Sequence, residues 1–74
     1  MNLYLLTQDE NTGYDTYDSC VVVANNEEEA RIISPSRFDN RTWTSSENVK
    51  VLLIGKAHKD MILGKVVCAS FNAG

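Results

Sequence analysis

The first thirty residues contain no lysine or arginine, although seven carboxylates lie among them. All seven basic residues lie in residues 31–74, together with the remaining three acids. The net charge of −3 therefore combines a strongly acidic N-terminal part with a basic C-terminal part. An asymmetry of this kind bears on the partners of a protein more than on its fold.

Long apolar runs are also missing. The longest, Cys20–Ala24, is far below the roughly 20 residues that a membrane-spanning helix needs, so we expect no transmembrane segment. The N-terminus has no basic region before its apolar residues, so no signal peptide is expected. Cys20 and Cys68, the two cysteines, lie in apolar, strand-like segments. Both are expected to be buried free thiols, which suits a reducing cytoplasm.

Motifs for catalysis and metal binding are lacking as well. A calcium loop that starts at Asp9 would need its glycine at the sixth position and a glutamate at the twelfth. Gly13 falls at the fifth position and Cys20 at the twelfth, so the match fails. Serine and cysteine lack the local signature of a nucleophile, and the single histidine, His58, lies in a polar turn. We therefore expect a non-enzymatic protein without cofactor or metal.

The seven basic residues are interrupted by acids, so direct binding to nucleic acid is not expected either.

The pattern of apolar residues predicts four strands separated by turn-forming residues. The expected strands are Leu3–Thr7, Tyr17–Ala24, Val49–Ala57 and Ile62–Phe71. The last two are expected to pair with each other, antiparallel, through a polar turn at residues 58–60.

A short helix is expected between the second and third strands. Asn26 is a good N-cap residue, and Glu29 completes a variant of the capping box. Pro35 disfavours helical geometry at Ser34, so the helix should end after about two turns. The order β-β-α-β-β indicates one α+β domain, residues 1–74, with a four-stranded, mainly antiparallel sheet and one short helix on one face. The other face should be solvated, covered by the long loop or paired with a second copy.

The stretch Gln8–Asp18 is the principal candidate for binding. It is expected to form a hairpin tip and the start of the return strand, with several carboxylates and no base. Two interpretations stay open. The first is a solvated acidic face that aids solubility. The second is a surface that imitates the phosphate backbone, with about one charge per 1.7 Å of duplex, and occupies a basic nucleic-acid-binding channel. The candidate contact residues are Asp9, Glu10, Tyr14, Asp15, Tyr17, Asp18, Glu27, Glu28 and Glu29.

The long irregular segment, residues 35–48, is an alternative binding surface. Aromatic residues and arginine often anchor interfaces. The competing interpretation is that the two aromatic residues of this segment, Phe38 and Trp43, cover the open edge of the core. The candidates on this surface are Arg37, Phe38, Arg41 and Trp43.

Four segments resemble a family of short proteins of bacteriophages and prophages. They are LYLLTQ near the start, GYDTYDS at residues 13–19, VVVA with EEEAR at residues 21–31, and ASFNAG at the end. The resemblance covers nearly the whole chain except the region around residues 37–46. It implies an intracellular protein made in a bacterial host. Small acidic phage proteins of this kind include inhibitors of CRISPR and other defence complexes, and several of these imitate DNA.

The resemblance therefore leads us to expect a stoichiometric inhibitor of a host defence complex, located in the bacterial cytoplasm. Its partner would be a protein complex with a basic nucleic-acid-binding channel, and no membrane would be involved. The alternative is a non-enzymatic phage accessory protein, dimeric through its sheet and without a role in defence.

Overall fold

The computed structural model describes residues 1–36 and 42–73. Its elements, in chain order, are β1 (Asn2–Thr7), β2 (Thr16–Ala24), α1 (Glu27–Arg31), a 3-10 turn (Ser46–Asn48), β3 (Lys50–Lys56) and β4 (Val66–Asn72). The four strands form one antiparallel sheet that carries a single short helix. The expected α+β fold is therefore confirmed.

The sheet has the strand order β3-β1-β2-β4, so the hairpin of β1 and β2 lies at its centre. The prediction that the last two strands pair with each other is wrong, because β3 pairs with β1 and β4 pairs with β2. Residues 57–65 connect these two opposite edges. The connection is attached to β2, where the Gly64 N–H donates to the Val23 carbonyl (2.8 Å) and the Val23 N–H donates to the Lys65 carbonyl (3.0 Å). Strand β4 accordingly begins at Val66 instead of Ile62.

The core lies on one side of the sheet, which we call the helix side. Alternate residues of a strand point to the same side, and both central strands contribute their apolar residues to it. Trp43 is only 1% exposed and packs there, which confirms its interpretation as a core residue. Phe38 lies outside the described residues. The buried cluster is Tyr4, Leu6, Cys20, Val22, Ala24, Ala30, Trp43 and Val49.

Helix α1 begins as the sequence predicts. The Asn26 side-chain oxygen accepts from the Glu29 N–H at 2.9 Å, and the Asn26 amide donates to the Glu29 carboxylate at 3.2 Å. Ala30 is fully buried against the sheet. The helix ends at Arg31, so it is shorter than the expected two turns. The Arg31 guanidinium donates to the Val49 carbonyl, and this contact ties the helix end to the segment that enters β3.

The opposite side of the sheet is partly open. Leu5 lies beside Val21 and Leu52 in the strand register. Leu5 and Val21 are half-buried, whereas Leu52 is 59% exposed. Within a single chain, this side is therefore solvated near β3.

Candidate binding surface

The loop between β1 and β2 is held by a buried amide. Gln8 is 6% exposed, and its amide nitrogen donates to the carbonyls of Asn11 and Tyr17, both at 2.7 Å. Its side-chain oxygen accepts from the backbone N–H groups of Glu10 and Asn11, both at 2.8 Å. One side chain thus satisfies four backbone groups. Because Gln8 itself is buried and these bonds are partly shielded from water, they help to fix the path of the loop.

Three further contacts attach this loop to the rest of the molecule. The Thr16 hydroxyl donates to the Gly13 carbonyl at 2.7 Å, and the Asn72 amide donates to the same oxygen at 3.1 Å. The Asn11 amide donates to the Trp43 carbonyl. The loop is therefore bound to the end of β4 and to the buried tryptophan.

The braced loop exposes its acidic side chains. Asp9, Glu10, Asp15 and Asp18 are all exposed, and Tyr14 is 77% exposed. Asp15 has a φ of 61°, in the left-handed region that Asp and Asn tolerate better than most residues. We call residues 9–18 the acidic tip. The structure places the first group of predicted contact residues at one end of the sheet.

A lysine lies beside the acidic tip. The Lys50 ammonium is 3.3 Å from the Asp9 carboxylate, and the two side chains are 70% and 67% exposed. An ion pair exposed to this degree contributes little to stability, because water and salt screen it. Its effect on the surface is to offset part of the negative charge at Asp9.

Tyr17 differs from the other candidate residues of the tip. Its ring packs on the ring of Phe71 in an edge-to-face contact with a centroid separation of 4.8 Å. It is half-buried and packs against the core cluster. A register shift between Tyr17 and Ser19 in the pairing with β4 accompanies this orientation. Tyr14 is consequently the more accessible of the two predicted tyrosine contacts.

The second acidic group lies at the far end of β2. Glu27 and Glu28 are exposed and Glu29 is half-buried at the start of α1. The strand rises by about 3.3 Å per residue, so its end at Ala24 is about 20 Å from Asp18. The nine predicted contact residues are therefore divided between two ends of the molecule instead of forming one continuous acidic face.

The alternative surface can be placed only in part. Trp43 is buried, so its ring is not available for a partner in this structure. Arg37, Phe38 and Arg41 lie outside the described residues.

The cysteines have different environments. Cys20 is buried, and its pKa is raised from 9.0 to about 12, mainly by desolvation and secondarily by the nearby Cys68. Cys68 is exposed, so the prediction of two buried thiols is wrong for this residue. It points away from the helix side, opposite Val21, on the edge strand β4. An apolar strand pattern does not distinguish an edge strand from a central one.

The described residues also bear on metal and membrane binding. Within residues 1–36 and 42–73, no three His, Cys, Asp or Glu side chains are grouped so that they could hold a metal ion. In the same ranges, no helix is long and apolar enough to cross a membrane.

Gln8 is a structural residue of the candidate surface that the sequence analysis does not single out. The sequence places Gln8 only at the start of the acidic stretch, whereas in the structure its side chain braces the tip through Glu10, Asn11 and Tyr17. The signal was present in the alternation of β1, because Gln8 continues the inward series of Tyr4 and Leu6. A polar residue at a buried strand position must find hydrogen-bond partners, and the adjacent loop supplies them.

The fold is thus that of a small α+β domain with a braced acidic loop at one end. No protein-family model, curated protein or solved structure matches the chain.

Proposed function

We propose that this protein is a phage-encoded, non-enzymatic inhibitor that binds a defence complex in the cytoplasm of a bacterial host. In this proposal the acidic tip enters the basic nucleic-acid-binding channel of the complex and excludes DNA by stoichiometric occlusion. The observation that supports the proposal most directly is the bracing of the tip by buried Gln8.

Bracing matters because binding orders flexible groups at a cost in free energy. A loop whose backbone is already fixed loses less conformational entropy when a partner binds. A surface that serves only solubility gains nothing from such order. The four hydrogen bonds of Gln8 hold the backbone from which Glu10 and the neighbouring acids project.

The charge of the tip is suited to association with a basic channel. Asp9, Glu10, Asp15 and Asp18 are exposed at one end of the sheet. Closely spaced like charges steer a partner of opposite sign and accelerate the encounter. Tyr14 adds exposed aromatic surface between the charges, of the kind that is enriched in interfaces.

The helix glutamates take part only if the target is large. Glu27, Glu28 and Glu29 follow the end of β2 at Ala24, which is about 20 Å from Asp18 along the strand. A channel that accommodates a duplex can span this distance, because it covers about six base-pair steps at about 3.4 Å each. The tip is therefore the primary contact of the proposal, and the helix glutamates are secondary.

The test compares two charge-neutralised variants for inhibition of target-DNA binding by purified CRISPR effector complexes. The tip variant carries Asp9→Asn, Glu10→Gln, Asp15→Asn and Asp18→Asn. Asparagine is suited to position 15 because it tolerates the left-handed conformation there. The control variant carries Glu27→Gln, Glu28→Gln and Glu29→Gln, which removes charge at the far end of the molecule.

We expect the tip variant to bind an inhibited complex much more weakly than wild type, mainly through slower association. Wild-type affinity should fall as salt rises above about 0.15 M, where the screening length is about 8 Å. The control variant should keep most of its affinity. A tip variant that inhibits like wild type would refute the proposed contact. A protein that leaves every tested complex active but self-associates would favour the accessory-protein alternative.

A further inference from the structure

In the part of the chain that the structure describes, no strand pairs with the outer edge of β4, and no charge or proline in the strand protects that edge. Natural edge strands are commonly protected by charged side chains, by proline or by bulges. β4, with the sequence VVCASFN, contains neither charge nor proline. A bulge is present at Val67, where the register with β2 shifts, but it lies at the start of the strand. Residues 68–72 are left as a regular edge.

The backbone of β4 has a defined outward side. The Asn72 carbonyl accepts from the Asp15 N–H, so Asn72 directs its backbone groups towards the inside of the sheet. Backbone groups of alternate residues point to the same side in an antiparallel strand. Phe71 and Ala69 therefore direct their N–H and C=O groups away from β2, towards the open edge.

We propose that the protein forms a symmetric homodimer by antiparallel pairing of β4 with β4 of a second copy, centred on Ala69. Full overlap of the two strands places Ala69 opposite Ala69 and Cys68 opposite Ser70. Phe71 of each copy then lies next to the bulged residue Val67 of the other copy, at the end of the regular overlap. The two four-stranded sheets then join into one continuous sheet of eight strands.

The side chains of this pairing are complementary. Phe71 and Val67 are 46% and 41% exposed in the single chain. Contact between an aromatic and a β-branched side chain across two strands is favourable, and the two-fold axis brings Phe71 near Val67 twice. No like charges meet anywhere along the seven residues of β4.

The other edge of the sheet is less suited to the same interaction. Full antiparallel overlap of two β3 strands would place Lys50 of each copy opposite Lys56 of the other. Like charges directly opposite each other are destabilising. A register that separates these lysines pairs only part of the strand. The charge pattern thus protects β3 and leaves β4 open for self-pairing.

Charge variants at the centre of the interface test the proposal. Ala69 is exposed in the single chain, so a longer side chain can be placed there. Ala69→Lys and Ala69→Glu each put two like charges at the two-fold axis. We expect wild type to be a dimer by sedimentation equilibrium and each variant to have a dissociation constant raised by about tenfold or more. An equimolar mixture of the two variants should form a heterodimer.

A disulfide test gives the register directly. Residues that exchange both backbone hydrogen bonds have Cα atoms about 5.5 Å apart, which is within disulfide range. In a Cys68→Ser background, Ala69→Cys should therefore form a cross-linked dimer on mild oxidation. The matched control is Leu53→Cys in the same background, at the centre of β3 and 54% exposed. A monomeric wild type, or equal cross-linking at both positions, would overturn the proposal.

The dimer does not depend on the proposed inhibitory function. Loss of the dimer in Ala69→Lys with unchanged DNA exclusion would leave the tip proposal intact. A tip variant that still dimerises but no longer inhibits would show that dimerisation does not require the tip.

Discussion

The side chain of Gln8 makes four hydrogen bonds that brace the acidic loop. Replacement of Gln8 by Ala removes the partner of four part-buried backbone groups at Glu10, Asn11 and Tyr17. A buried group left without a partner costs about 1–3 kcal/mol, so we expect Gln8→Ala to lower the free energy of unfolding by about that amount, measured as a shift of the denaturant midpoint. Thr12→Ala, in the exposed part of the same loop, is the control and should be nearly neutral. Similar midpoints for both variants would show that Gln8 does not hold the loop.

The two thiols should react at very different rates. Cys68 is exposed, whereas Cys20 is buried and has a pKa raised to about 12. The thiolate is the reactive species, so Cys20 is protected both by burial and by protonation. One equivalent of a thiol reagent should react quickly near pH 8, and the second only on unfolding. Cys68→Ser should abolish the fast phase, and a fast phase that survives this change would contradict the assignment.

The raised pKa of Cys20 also affects stability at alkaline pH. Above about pH 9 the unfolded chain releases the Cys20 proton, whereas the native state keeps it up to about pH 12. The unfolded state then binds fewer protons, so the free energy of unfolding falls as pH rises through this window. Chemical denaturation at several pH values above 9 should show a smaller decline for Cys20→Ser than for Cys68→Ser. Equal declines in the two variants would assign the alkaline loss to other groups.

At the scale of elements, helix α1 is short and depends on its cap. Asn26→Ala removes the bond to the Glu29 N–H and should cost about 0.5–2 kcal/mol of stability. The neighbouring exposed Asn25 provides the control, because its side chain does not occupy the cap position. If Asn25→Ala and Asn26→Ala shift the thermal midpoint equally, the cap is not what stabilises this helix.

The strands show which parts of the fold local sequence patterns can predict. Alternation and turn residues were sufficient to predict β1, β2 and β3 to within one residue at each end. The N-cap of α1 was predicted for the same reason, since Asn26 and Glu29 interact within one turn. The partner of β4 was not predictable in this way. Residues 57–65 can form a tight turn or cross to the other edge, and only packing of the complete sheet decides between these paths.

At the scale of the molecule, the sequence predicts which residues of the candidate site are acidic but not where they lie in space. The sequence shows seven acids before residue 31, and the structure divides them between two ends of β2. This division depends on the length of the strand, which the sequence indicates. It also depends on a change of direction at Asn25 and Asn26, after which Ala30 packs on the sheet. Charge counts alone do not contain that information.

The strand order β3-β1-β2-β4 has a kinetic consequence. The central hairpin joins residues close in sequence, whereas both outer strands join residues far apart, and such contacts form slowly. The hairpin should therefore belong to the folding nucleus. Leu6→Ala should mainly slow refolding, and Val66→Ala, on β4, should mainly accelerate unfolding. Stopped-flow measurement of the refolding and unfolding rates across a denaturant series tests this. Two variants that both change only the unfolding rate, or both only the refolding rate, would contradict the prediction. Until the outer strands dock, the nascent hairpin offers two bare edges to neighbouring chains, so aggregation competes with folding most strongly at that stage.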